Sequence, residues 1–536
     1  MAFIRVQYLK YDDNKNVVGG IASLKQSVYV KSQKYHSKQV TIESLGKILY
    51  LSEDVKFGIF NSPTRGLISY DAKTNTFEDI SINDDRLKDK NIEVTKRVHT
   101  VFGDAYLFLE FLKANKFISI FKNMFDSDKE YIKFISHLSY GVLKDGSHIS
   151  CNYFIEKSFI SYLIGDLQLG TLKSDSKFFQ MLGDDNIKLS YFRNYIKKMK
   201  ETYPSFGESS YVDSTPLPND IIDNPFNALC SHGLKGASIQ MRLVLILDQE
   251  TGLPVWFEII PGNVLDVNTL IKVKENVFVS LGIKIISYVL DAGYVSKEVI
   301  NAIHIGSNET LIARMPAKKG YPYKELYNGV KDLFSKGKYQ FERNKHTYFG
   351  IQREKKVFDQ PIYEYVYLDR FNAEKGFRNY LKEHKDEYNS MKDKDKDFRM
   401  VKDGYFVLIS NINDTPQNIL ESYFNRTEIE KVFKTSKEYL NILPIQKWNE
   451  DSIKGKILID IIGTTIVLML RKKLNGTMSL SDVIGSTQSL MCFKDNNGIV
   501  TCEVPNKNVK EIYKTVGISL PSSINIDTYY KSIIAR

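Results

Sequence analysis

The sequence predicts an α/β fold: a mixed sheet with helices on its faces. Three stretches predict it. Residues 240–247 and 253–260 are apolar, β-branched runs joined by Asp248-Gln-Glu-Thr-Gly252, whose turn residues make the pair a hairpin. Residues 284–313 then alternate strand (284–290), helix (296–305) and strand (310–313), the rhythm of βαβ units. After an interruption the alternation resumes with a strand at 405–409 and a stretch of helical periodicity at 423–437.

A chain of 536 residues exceeds what one hydrophobic core serves, so three or more structural units are expected. Hydrophobic content of 43% and charged content of 26% are those of a folded soluble protein. The 74 basic and 64 acidic residues leave a net charge of +10, which suits a polyanionic partner without requiring one. Lys far outnumbers Arg, and Asn, Ile and Tyr are abundant, as AT-rich coding sequence produces. Cys151, Cys230, Cys492 and Cys502 have neither metal-ligand spacing nor a disulfide framework, which fits a reducing cytoplasm. The first ten residues lack the apolar run of a signal peptide, and the most apolar segment, 457–470, contains Asp460 and is too short to span a bilayer.

In chain order, residues 1–95 form a strand-rich region, with short runs such as Phe3-Ile-Arg-Val and Gln39-Val-Thr-Ile. Residues 96–205 turn helical. Their last helix, 188–200, sets Tyr191, Phe192 and Tyr195 on one face and Arg193, Lys197, Lys198 and Lys200 on another, a face that reads first as solvated and second as a grip on DNA phosphates. Pro204 and Gly207 mark a boundary. Residues 206–316 and 404–478 form the α/β core, closed by a buried helix at 453–474. Between them 317–403 is an inserted subdomain with a strand-like run at 362–368 and a charged helical tract at 372–394. Residues 479–536 form a C-terminal region of weaker pattern.

Read as one helix at 100° per residue with Tyr423 at zero, the 423–437 stretch puts Arg426 near ~300°, Lys437 near ~320° and Glu430 near ~340°. They lie beside an apolar stripe of Ile429, Val432, Phe433 and Leu440 instead of opposite it. Glu421 and Glu428, the other carboxylates nearby, fall near ~160° and ~140°, so the wheel favours Glu430. Two aspartates hold comparable places: Asp213 at the end of the strand 209–212, and Asp291 at the end of 284–290. Strand ends of an open α/β sheet converge on one edge, where sites form. Three carboxylates gathered there repel unless a divalent ion neutralises them, and oxygen ligands select Mg²⁺ or Mn²⁺. Two such ions clamp the attacking and leaving oxygens of a phosphoryl displacement.

These residues resemble a family. Tyr211-Val-Asp213-Ser-Thr215, Val289-Leu-Asp291-Ala-Gly293-Tyr294 and Tyr423-x2-Arg426-x3-Glu430-x6-Lys437 look like the three motifs of bacterial insertion-sequence transposases. These are DDE enzymes with a ribonuclease-H-like core, of the branch with a Tyr-Arg-Glu-Lys signature. Gly252-Leu-Pro254, Pro261-Gly-Asn263-Val-Leu-Asp266 and Leu443-Pro-Ile-Gln-Lys-Trp448 match the branch as well, in the right order.

The resemblance implies that Asp213, Asp291 and Glu430 bind the metal and catalyse. It also implies that Tyr423, Arg426 and Lys437 hold phosphates of the element's end, and that a homodimer pairs two inverted-repeat ends before joining them to target DNA. The expected setting is a bacterial cytoplasm, at the nucleoid. The 139 residues from Asp291 to Glu430 leave room for the strand-containing insertion that relatives carry there. Many relatives have Arg after the second Asp; here Ala292 stands in that place. No helix-turn-helix signature marks the N-terminal region, so end recognition is unassigned. Asp220, Asp223 and Asp248 read as turn residues, Asp266 as a helix N-cap, and Trp256 and Trp448 as core, although Trp448 could stack on a base. A purely hydrolytic nuclease of the same fold and a catalytically dead DNA-binding protein are the competing readings.

Overall fold

A computed structural model describes residues 2–534, apart from 12–16, 32–36, 53, 81–98, 145–149, 165–171, 219–220, 222–223, 231–237, 265, 305–307, 319–320, 358–359, 446 and 496. The chain divides into two compact units, Met1–Val98 and His99–Arg536.

The first unit is a six-stranded antiparallel meander: β1 (Ala2–Tyr11), β2 (Val17–Tyr29), β3 (Ser37–Leu51), β4 (Phe57–Ser62), β5 (Gly66–Asp71) and β6 (Thr76–Asp79), paired in that order. Alternation places Ile48, Phe60, Ile68 and Tyr70 on its inner face, all at most 3% exposed. β2 and β3, at 13 and 15 residues, are the longest strands of the meander.

The second unit opens with β7 (Thr100–Val101) and seven helices: α1 (Gly103–Ala114), α2 (Phe117–Lys122), α3 (Asp128–Leu143), α4 (Cys151–Lys157), α5 (Ser161–Ile164), α6 (Leu172–Leu182) and α7 (Asp185–Lys200). The 188–200 stretch therefore gains an earlier turn, capped by the Asp184 carboxylate, which accepts from the Asn186 N–H. Its aromatic face is core, as Tyr191, Phe192 and Tyr195 are at most 1% exposed. Its basic face is largely engaged within the protein. Arg193 donates to the Ser280 carbonyl at 2.8 Å, Lys198 pairs with Glu201, and Lys200 pairs with Glu208 at 3.3 Å.

The main sheet follows: β8 (Ser209–Pro218), β9 (Ala228–Cys230), β10 (Ser238–Asp248), β11 (Pro254–Pro261), α8 (Asp266–Leu281), β12 (Ser287–Leu290), α9 (Lys297–His304) and β13 (Thr310–Arg314). Along the sheet the order is β11-β10-β8-β12-β13, with β10 antiparallel to β8 and β11, and β12 parallel to β8 and β13. This is the mixed sheet expected from the sequence. Gly207, at φ +85°, makes the turn into it. The buried Asp248 carboxylate accepts from the Gly207 and Thr251 N–H groups at 2.8 Å each, so its role is structural.

Next come α10 (Tyr323–Val330), β14 (Gln340–Arg343), β15 (His346–Val357), β16 (Gln360–Asp369), α11 (Arg370–Ser390) and α12 (Asp393–Val401), then β17 (Tyr405–Ser410). The strands of the 317–403 segment join the main sheet, which continues β13-β17-β16-β15-β14. The tract expected as one charged helix is kinked at His384 (φ −132°, ψ 32°) and broken before Asp393.

The chain then runs through α13 (Pro416–Phe424), α14 (Thr427–Lys434), a π-turn at Thr435–Tyr439 and α15 (Glu450–Leu474). The tail is α16 (Leu480–Thr487), β18 (Met491–Lys494), β19 (Ile499–Cys502), α17 (Lys507–Val516), β20 (Ser523–Asn525) and α18 (Ile526–Ile533). Its strands form a second sheet in the order β20-β19-β18-β7. The Tyr131 hydroxyl donates to the Ile533 carbonyl at 2.8 Å, so the tail is tied to α3. Among the described residues no helix is long and apolar enough to cross a membrane.

α15 is buried along most of its length and carries an internal ion pair, Lys456 Nζ to Asp460 Oδ2 at 2.7 Å, with the two side chains 6% and 8% exposed. Burial pushes the Asp460 carboxyl above its usual range, and Lys456 works against that shift. Lys456→Met should cost about 3–5 kcal/mol by stranding a buried carboxylate, whereas Lys456→Met with Asp460→Leu should be near neutral. Urea denaturation of both variants beside the wild type checks this.

Candidate active site

The parallel register of β8 and β12 creates the site. Val289 pairs with Tyr211 and Leu290 with Val212, so the next residues in line, Asp291 and Asp213, stand side by side on neighbouring strands. The expectation that Asp213 ends its strand is corrected. β8 continues to Pro218, because β10 pairs with it as far as Pro218. Asp291 does end β12, and a short 3₁₀ turn, Ala292–Tyr294, follows it.

The 423–437 stretch is not one helix, so its 100° wheel does not hold across the whole span. α13 ends at Phe424, Arg426 sits at the N-cap of α14, and the last residues widen into the π-turn. These breaks nevertheless bring the polar groups to the two aspartates. Tyr423, from the end of α13, donates its hydroxyl to Asp291 Oδ1 at 3.2 Å. Arg426, from the junction, donates from Nη1 to Asp213 Oδ2 at 2.6 Å, and its Nη2 lies 3.7 Å from Asp291 Oδ1. One guanidinium thus bridges both carboxylates. Lys437, from the π-turn, donates to Thr215 Oγ1 at 2.7 Å and to the Pro216 carbonyl at 3.0 Å.

Glu430 lies one turn into α14 and faces solvent. Its charge is felt at Arg426, but among the described residues no three His, Cys, Asp or Glu side chains are grouped closely enough to hold a metal ion. The other nearby carboxylates are engaged elsewhere: Glu421 with Arg343 at 3.0 Å, and Glu428 with Lys431.

Burial opposes the Arg426 charge, but Asp213, then Tyr423, Asp291 and Glu430 outweigh it and hold its pKa above the ordinary value. Burial and the Asp291 charge push the Tyr423 hydroxyl up to about 12, which keeps it a donor at neutral pH. Burial lowers the Lys437 ammonium. The donor chemistry suits a hard divalent ion: two carboxylates are already gathered where they need a shared cation, and Arg426 supplies it in this arrangement.

Several site residues escaped the sequence reading. Thr215 and Pro216 hold Lys437, and Arg242 donates to Ser214 beside Asp213. The signal for Thr215 was its period-2 relation to Asp213 on one strand; Arg242 had no local signal, since only the pairing of β10 with β8 sets it opposite Pro216. Trp448, expected in the core, is 70% exposed because it lies in an irregular stretch before α15, whereas Trp256 is core at 3%. Asp266 opens α8, and Asp220 and Asp223 lie outside the described residues.

Residues 212–462 match the family model described as Transposase DDE domain. The DDE-domain span thus holds Asp213, Asp291, Glu430 and the three cationic or phenolic partners. No curated protein matches the chain. Seven solved chains do. One belongs to a piggyBac transposase synaptic complex with hairpin DNA, 11% identical, with 72% of this chain and 79% of that chain covered at a TM-score of 0.36.

Proposed function

We propose that the chain is a DDE transposase of the bacterial insertion-sequence branch with the Tyr-Arg-Glu-Lys signature. It would bind the inverted-repeat ends of its element, cut them and transfer them to target DNA. One observation carries the reading: Asp213 and Asp291 are adjacent on parallel strands, and the segment bearing Tyr423, Arg426 and Glu430 is docked against them. The family match over 212–462 supports it.

Asp213, Asp291 and Glu430 would hold Mg²⁺ or Mn²⁺, as two ions, whose chemistry there is to lower the pKa of water and neutralise charge at the phosphate. The protein's own groups set the geometry. Tyr423, protonated at neutral pH, donates to an oxygen acceptor, Asp291 here and a phosphate when DNA arrives. Arg426 carries a permanent charge and a planar fork suited to a phosphate. Lys437 is anchored on β8 two residues beyond Asp213, so it would place a cation beside the strand held by the acids. Two ends must be joined together, which calls for a homodimer in the synaptic complex, working at the nucleoid in the cytoplasm.

The test uses intact and pre-cleaved duplex ends carrying inverted repeats from the DNA flanking the gene, with a supercoiled target plasmid and Mg²⁺. Strand-transfer products are expected. Cleavage of intact ends without transfer would make the protein a hydrolytic nuclease, and DNA binding with neither activity would make it a dead DNA-binding protein.

A further inference from the structure

In the proposed function the candidate active site handles reacting phosphates, which carry no sequence information. The first unit carries a different surface. β1 begins opposite Gln26 of β2, and β4 pairs with β3 only from Lys47 onward. Past Gln26, β2 and β3 therefore run on as a two-stranded ribbon, paired Ser27 to Gln39, Val28 to Lys38 and Tyr29 to Ser37. Every residue from Gln26 to Tyr29 and from Ser37 to Ile42 is exposed, so both faces of this ribbon meet solvent. A register shift between Leu24 and Lys25 marks an irregularity in the pairing at its base.

Side chains opposite one another share a face. One face of the ribbon and its base is Lys25 and Thr41, Ser27 and Gln39, and Tyr29 and Ser37. All six are hydrogen-bonding groups. Lys31 and Lys38 add charge, and no Asp or Glu occurs from Gln26 to Ile42.

We infer that this β2–β3 ribbon is a duplex-DNA-binding arm that enters the major groove and reads the element's ends; the inference rests on the transposase reading. A two-stranded ribbon fits a B-form major groove, roughly 12 Å wide. Gln39, Ser27 and Thr41 present amides and hydroxyls to base edges, while Lys25, Lys31 and Lys38 meet phosphates. A solvent-exposed ribbon that carries Lys31 and Lys38, with Lys25 at its base and no Asp or Glu from Gln26 to Ile42, is complementary to a polyanion. The exposed apolar residues Val28 and Val40 occupy the other face, beside Lys38.

The experiment measures binding of the full chain to a fluorescein-labelled 40-bp duplex bearing the flanking repeat, and to a scrambled duplex, between 50 and 200 mM salt. Lys25→Gln/Lys31→Gln/Lys38→Gln should flatten the log–log salt slope by about 2.7, so the wild type loses roughly 40-fold more affinity across that range. Tyr29→Ala/Gln39→Ala should cut the preference for the repeat about tenfold or more and leave the salt slope unchanged. Thermal melts confirm that both surface variants fold. If the wild type binds neither duplex, the inference and the transposase reading fall together. If it binds and the lysine variant matches it in slope and affinity, the inference alone falls. It also falls if an RNA duplex of the same sequence binds as tightly, since its narrow major groove excludes a ribbon, or if the lysine variant changes only the oligomeric state.

Discussion

Glu430→Gln should abolish Mg²⁺-dependent cleavage, by at least about 10³-fold, without lowering stability. Loss of a charged group that acts only at the reacting phosphate costs rates of that order. Stability should hold because Glu430 is exposed on α14. Asp213→Asn should abolish cleavage to the same degree but also destabilise, since the Asp213 side chain is 18% exposed and is the closest partner of Arg426. Cleavage of an end-bearing duplex measured beside urea denaturation separates the two effects. Wild-type cleavage by Glu430→Gln would remove Glu430 from the triad.

Arg426→Ala carries the second large effect, and its sign depends on metal. The guanidinium pairs with two neighbouring carboxylates and offsets part of their charge. Its removal leaves Asp213 and Asp291 facing each other, at an expected cost of roughly 2–4 kcal/mol. The same vacancy frees both acids for a divalent ion, so the variant should bind Mn²⁺ more tightly than the wild type when DNA is absent. Saturation at about 100 times the dissociation constant would return about 2.7 kcal/mol. The melting temperature of Arg426→Ala should therefore rise more steeply with Mn²⁺ than that of the wild type. Calorimetric titration with Mn²⁺ checks the affinity directly, apart from any activity. Equal Mn²⁺ affinity in the two proteins would show that Arg426 does not compete for the acids.

The sheet was legible because its strands are short, apolar and separated by turn residues. The hairpin at 240–260 and the alternation at 284–313 need only local patterns, and β10 to β13 lie where those patterns put them. The site was legible in part. Asp291 follows its strand, and Tyr423 and Arg426 reach the aspartates. What failed was a continuous helix through 423–437. Its breaks at Asn425 and at the π-turn come from docking three side chains on β8 and β12, a tertiary demand without periodicity. The tail was unreadable for a similar reason: β18 and β19 are four residues each and are completed by Thr100–Val101, nearly 400 positions earlier.

The position of β17 has a consequence for how such chains can diverge. β17 is antiparallel to β13 and lies next to it, with β16, β15 and β14 added on its far side. The path from β13 to β17 therefore begins and ends at one place, whatever is threaded between. Doubling such an excursion adds only about 0.6 kcal/mol of closure entropy. The separation in sequence between the second and third acids is thus uncoupled from their separation in space. Lengthening or trimming the excursion leaves the distance from β12 to α14 unchanged, so chains of this topology can differ widely in length at this point and keep one arrangement of the candidate site.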